Sequence, residues 1–128
     1  LYHAIIKSKN VLYSFGSNNV SQCGIDTNKA KIVYKPTLVS DCPERIVKVY
    51  CGGSHNIIKC ENEVFYSFGR NIQYECLNYG NGYTPTIINV KKVQNKMKSN
   101  PNHPIIEIIP GYNETFMIQM ILSEAKIK

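Results

Sequence analysis

The sequence predicts an all-β fold built from repeated small sheets, on three observations. The hexapeptide Tyr13-Ser14-Phe15-Gly16-Ser17-Asn18 returns 53 residues later as Tyr66-Ser67-Phe68-Gly69-Arg70-Asn71. Most apolar residues fall in runs of about four to seven, set apart by Gly, Asn, Pro and Ser, which is the pattern of short strands. Both copies carry the same order of apolar runs and turns. A period of this length marks a repeat architecture, in which each unit makes one twisted sheet and buries its faces against its neighbours. Strand units recurring every 52 to 59 residues describe the blades of a β-propeller.

Along the chain, residues 4–7 and 11–15 are predicted as a hairpin across the polar turn Ser8-Lys9-Asn10. Residues 56–60 and 64–68 are its second copy, with His55-Asn56-Ile57-Ile58-Lys59 matching His3-Ala4-Ile5-Ile6-Lys7 and one extra residue, Glu63, taken up in the turn. Downstream, Gln22-Cys23 matches Glu75-Cys76, and Lys35-Pro36-Thr37-Leu38-Val39 matches Thr84-Pro85-Thr86-Ile87-Ile88. Proline lacks an amide donor, so the segments around Pro36 and Pro85 are predicted as edge strands. Residues 46–51 and 105–109 are strands of one kind, 59 residues apart because residues 91–104 are inserted, and that insertion reads as a loop. Gly52-Gly53-Ser54 is expected to reverse the chain through positive backbone angles. Residues 115–121 form a last strand, and 123–128 are the one stretch with a helical reading. The units run from about 3–54 and 55–113 with a truncated third, about two four-stranded blades in all. A closed ring takes roughly four to eight blades, so the chain reads as a segment of a longer propeller.

Composition narrows the function. With 43% hydrophobic and 19% charged residues the chain suits one ordinary domain rather than a disordered tail. The net charge of +6 favours acidic surfaces, but only Arg45 and Arg70 are arginines, and a lysine-based excess argues against a dedicated nucleic-acid reader. No apolar run approaches the roughly 18 to 20 residues of a membrane span. Five cysteines, Cys23, Cys42, Cys51, Cys60 and Cys76, make an odd set without a C-x-x-C spacing, so neither a disulfide framework nor a zinc site is indicated. Reduced thiols point to an intracellular setting, cytoplasmic or nuclear. The two N-x-S/T sequons, at Asn19 and Asn113, are what fourteen asparagines produce by chance.

No candidate builds an active site. His3 and His55 occupy equivalent positions, which predicts a repeated structural hydrogen bond to a blade turn. Ser54 and His55 are adjacent on a strand and point to opposite faces, so they do not form a nucleophile and base. Cys23 and Cys76 are equivalent and read as small buried hydrophobes; Cys42, Cys51 and Cys60 have no histidine at ligand spacing. Asn18 and Asn71 follow a glycine at a strand end, where an Asn side chain bonds nearby backbone. The sequence shows no phosphate cradle, no histidine and carboxylate cluster and no carboxylate pair, so no catalytic, cofactor-binding or metal residue is assigned and the chain is read as a non-enzyme. Candidate partner contacts are the non-repeated Arg70 and the insertion lysines Lys91, Lys92, Lys96 and Lys98. Tyr2, Tyr74, Tyr79, Tyr83 and Tyr112 fall near loops, where tyrosine serves interfaces well.

The landmark order within a unit resembles the regulator-of-chromosome-condensation (RCC) repeat family: Gly52-Gly53-Ser54-His55, an apolar pair, then Phe15-Gly16-Ser17-Asn18 and Phe68-Gly69-Arg70-Asn71, with Gly111 repeating Gly52. The sequence departs from that pattern where Phe15 and Phe68 replace Trp, Ser21 and Tyr74 replace Gly, Cys23 and Cys76 replace Leu, and Leu77 replaces the last Gly, which Gly24 keeps. Kelch-type blades share the glycine doublet but not the downstream Tyr and Trp spacing. The resemblance implies a seven-bladed propeller and a non-enzymatic protein-binding scaffold. It also implies an alternative, a guanine-nucleotide exchange factor for a small GTPase with chromatin association. No matched position lies in a motif specific to exchange.

Overall fold

In the computed structural model, residues 2–100 and 102–119 are described; the helical reading of 123–128 and the end of the last predicted strand lie outside them. Strands β1 (His3–Ser8), β2 (Val11–Ser17) and β3 (Ile32–Leu38) form one antiparallel sheet in chain order. A second sheet orders β4 (Ile46–Cys51), β5 (His55–Cys60), β6 (Val64–Gly69) and β7 (Thr86–Ile87), and a third pairs β8 (Ile105–Pro110) with β9 (Thr115–Gln119). The sequence unit 3–54 therefore ends inside the second sheet, because β4 opens that sheet rather than closing the first. Pro36 lies within β3 and Pro85 just before β7, the edge strands of the first two sheets, where the missing donor costs no ladder bond.

The registers superpose the repeats. Phe15 pairs with Ala4 and Gly16 with His3, as Phe68 pairs with Asn56 and Gly69 with His55. The third sheet copies the β4–β5 hairpin down to its irregularity, a register shift between Ile46 and Lys48 that recurs between Ile105 and Glu107. This places Thr115 at the position of Asn56.

Strand alternation explains the core. From the second sheet, Ile58, Cys60 and Phe68 point toward the first sheet and pack with Leu12, Val39 and Ile46. Ile57 and Phe65 point the other way and pack with Ile88, Val93, Ile105 and Ile108. Leu12 and Phe65, like Val39 and Ile88, are repeat equivalents serving successive seams. Phe15 occupies the register position of Phe68 but is only half-buried, whereas Phe68 is fully buried in the seam between the first two sheets. Its partner positions face outward on the first sheet, where Ile6, the equivalent of Ile58, is also exposed.

Two expectations are corrected. Gly52 and Gly53 do not adopt positive φ; Gly16, Gly24, Gly69 and Gly82 do. The doublet answers a close approach instead, since a Cβ on Gly52 would lie 2.5 Å from the Gly111 carbonyl oxygen and one on Gly53 2.5 Å from that of Tyr112. The insertion at 91–104 is not wholly loop, because Val90–Lys96 forms helix α1. Its Asn89 cap accepts from Lys92 N at 3.1 Å, and Val93 and Gln94 turn inward while the lysines stay in solvent.

Candidate partner-binding surface

The repeated polar residues are spent on holding the sheets together. His3 and His55 do not bond their own turns, as their positions suggested; each reaches the next sheet. His3 Nε2 lies 2.7 Å from Asn56 Oδ1, and His55 Nε2 lies 2.8 Å from Thr115 Oγ1. Asn56 Nδ2 donates back to the Gln22 carbonyl at 2.7 Å, and Thr115 Oγ1 donates to the equivalent Glu75 carbonyl at 2.5 Å. Both oxygens must then accept from an Nε2–H, so the network fixes a proton on Nε2 of both imidazoles. Burial pushes both below the ordinary histidine value, against the hydrogen bond from His3 to Asn56 and the charges of Glu75 and Glu114 near His55.

The loop after each central strand is bridged by a repeated set. Asn18 Oδ1 accepts from Cys23 N at 2.9 Å, and Asn71 Oδ1 accepts from Cys76 N at 2.9 Å. Their amides donate onward, Asn18 to the carbonyls of Ile25 and Ala30 and Asn71 to that of Asn78. Ser14 Oγ and Ser67 Oγ donate to the carbonyls of Cys23 and Cys76. Cys23 and Cys76 are buried beneath these loops, and burial pushes the Cys76 thiol up to about 12, out of reach of thiolate chemistry at neutral pH. Gly16 and Gly69 hold φ of 106° and 116° with no room for a Cβ. Gly52 and Gly111 each donate their amide to the carbonyl three residues on, those of His55 and Glu114.

Arg70 is turned inward. Its guanidinium bonds the carboxylate of Glu75, whose side chain is 1% exposed, while Arg70 is 23% exposed. The equivalent pair in the first unit is neutral, with Gln22 Nε2 3.4 Å from Ser17 Oγ. In both units the acidic or amide oxygen also accepts a backbone amide, Val20 N to Gln22 and Gln73 N to Glu75. The sequence reading missed this exchange of pair for pair, together with Asn56 and Thr115; aligning Ser17 and Gln22 with Arg70 and Glu75 as a couple carries the signal.

The insertion lysines gather on one element. Lys91, Lys92 and Lys96 lie on α1 and Lys98 follows it, all exposed. Lys96 is held: its Nζ donates to Tyr79 Oη at 2.6 Å and lies 4.4 Å from the Tyr74 ring centroid and 5.1 Å from that of Tyr79. Those rings, 5.0 Å apart, belong to the second unit's loop, so the insertion is tied to it. Among the described residues no ion pair involves Lys91, Lys92, Lys96 or Lys98. Tyr2 and Tyr112 are exposed beside the glycine doublet, lining a cavity of about 310 Å³ with His3 and Ser54. Tyr83 lines another, of about 290 Å³, with Asp26 and Lys29. Among the described residues no group of three or more His, Cys, Asp or Glu is placed to hold a metal ion, and no helix is long and apolar enough to cross a membrane.

The model of the regulator of chromosome condensation (RCC1) repeat matches residues 9–58, spanning the first central strand through β5. Residues 9–58 are an RCC1 repeat. Its RCC1-like sheets match solved propellers: Prp20p from Saccharomyces cerevisiae, described with its binding properties to Gsp1p and histones, aligns with TM-score 0.71 at 22% identity over 97% of this chain and 30% of that one. Human WBSCR16 aligns with TM-score 0.65 at 15% identity over 91% of this chain and 29% of the other. At these identities the likeness establishes the RCC1 propeller fold. In sequence, the human X-linked retinitis pigmentosa GTPase regulator is 36% identical over 71 residues, 55% of this chain and 7% of its own length. Protein pim1 of Schizosaccharomyces pombe is 29% identical over 122 residues, 91% of this chain and 22% of its own. The chain thus spans well under a third of these relatives.

Proposed function

We propose that this RCC1-repeat segment is a non-enzymatic protein-binding scaffold, working inside the cell, with the insertion lysines Lys91, Lys92, Lys96 and Lys98 on its partner-facing side and Arg70 spent on Glu75. One observation carries the reading: the polar residues that repeat are consumed by the fold, as is the Arg70–Glu75 pair, and the lysines of the insertion are left at the surface. His3, His55, Asn18, Asn71, Ser14 and Ser67 all bond within or between sheets. A propeller evolving this way keeps its frame and changes its contacts.

Exchange of guanine nucleotide on a small GTPase is the second reading, favoured by the association of Prp20p with Gsp1p and by the name of the human GTPase regulator. Such activity needs no bond-making residue, since it displaces nucleotide from the partner. Nucleotide release from a panel of purified small GTPases separates the two. Acceleration by the full-length protein overturns the scaffold reading in favour of exchange; unchanged release across the panel, with a protein partner identified by cross-linking, supports the scaffold.

A further inference from the structure

Charge is distributed unevenly along the chain. Between Glu75 and Glu107 there is no Asp or Glu, and the charged side chains in that stretch are Lys91, Lys92, Lys96 and Lys98, a local excess of four out of a net +6. The fold concentrates them further. Val93 is 1% exposed and sits in the seam cluster with Ile57, Phe65, Ile88, Ile105 and Ile108, so α1 is anchored by its inner face and presents its lysines outward. Gln94 Nε2 reaches the His103 carbonyl at 3.1 Å and Gln119 Nε2 reaches the same carbonyl at 2.9 Å, which ties the end of the insertion to β9. Lys96 on the two tyrosines ties α1 to the loop of the second unit. A cationic face that is already ordered loses little conformational entropy when it binds.

Resting on the protein-binding reading above, we infer that the outer face of α1 and the turn that follows it are the docking surface for an acidic segment of a partner protein, with Lys91, Lys92 and Lys98 as its contact charges. Lys96 is a positioning residue, its ammonium committed to Tyr74 and Tyr79. The neighbouring exposed side chains favour protein over nucleic acid: Met97 is 57% exposed and Tyr79 82%, types enriched at protein interfaces. The cluster contains no arginine, the residue whose fork reads phosphates bidentately.

The test uses the full-length protein and a fluorescein-labelled polyglutamate peptide, read by fluorescence anisotropy over a range of salt. The peptide is expected to bind with salt-dependent affinity, and K91E/K92E/K98E to weaken it at least about tenfold with an unchanged melting curve. K29E/K31E/K35E, the same charge change on the first unit, is expected to alter affinity less than about threefold. Equal loss in both triple variants reduces the effect to net charge and overturns the inference. Tighter binding of labelled duplex DNA through the same three lysines overturns it in favour of nucleic acid. A cross-linked protein partner that still binds K91E/K92E/K98E discards the acidic docking surface while leaving the scaffold reading in place.

Discussion

Arg70 and Glu75 offer a test with its control built into the same chain. Glu75 is buried with its carboxylate on Arg70 and on Gln73 N, where the first unit uses Gln22, Ser17 and Val20 N. Removing the arginine alone, R70S, leaves a buried carboxylate without its cation. Breaking a fully buried pair costs about 3–5 kcal/mol, and the partial exposure of Arg70 lowers this to about 2–3 kcal/mol. E75Q keeps the acceptor for Gln73 N and leaves Arg70 with access to water, so it should cost under about 1 kcal/mol. R70S/E75Q rebuilds the pair of the first unit and should return to within about 1 kcal/mol of the parent, giving a coupling energy of about 2 kcal/mol in the double-mutant cycle. Urea and thermal melts of the full-length protein measure all four forms. The reasoning is refuted if R70S matches the parent, or if the double variant is no more stable than R70S.

Both seam histidines titrate below the unfolded value of 6.5. The unfolded chain therefore takes up protons first, so their contribution is complete above pH 6.5 and is lost as pH falls through the folded values. Melting temperature should drop from neutral toward acid pH, and H3Q/H55Q should flatten that slope; a parallel slope would dismiss the histidines. Gly53→Ala should cost about 1–3 kcal/mol by denaturant melting, because the Tyr112 carbonyl stands where the methyl would go. Ser21, φ 65°, holds a left-handed position where the family pattern has glycine, so Ser21→Gly should stabilise by about 0.5–1 kcal/mol; a loss of stability would point to its side chain instead. Native Cys76, pushed up to about 12 by burial, should resist maleimide at neutral pH and react once the protein is unfolded, as read by mass spectrometry.

The strands, their pairing into hairpins, the edge positions of Pro36 and Pro85 and the equivalence of His3 with His55 were legible because they depend on local chemistry: period-two apolar runs, turn residues and a missing donor. Helix α1 was not, since a seven-residue lysine-rich segment carries too little periodicity to announce one, and its Val93 anchor has meaning only against Ile105 and Ile108. The glycine doublet was legible as necessary but not for the right reason, because steric exclusion by Gly111 and Tyr112 comes from residues about 59 positions away.

By itself, then, the sequence determined the kind of sheet, the period and the resemblance to the RCC1 repeat, all properties of a single unit read along the chain. Tertiary structure decided what lies between units: that each histidine latches the following sheet, that Arg70 neutralises a buried Glu75 and that Lys91, Lys92 and Lys96 ride on an anchored helix with Lys98 just beyond it. Interactions across a seam depend on distance in space, and residues such as His55 and Thr115, 60 apart in the chain, meet only after each sheet has buried its apolar faces against the next.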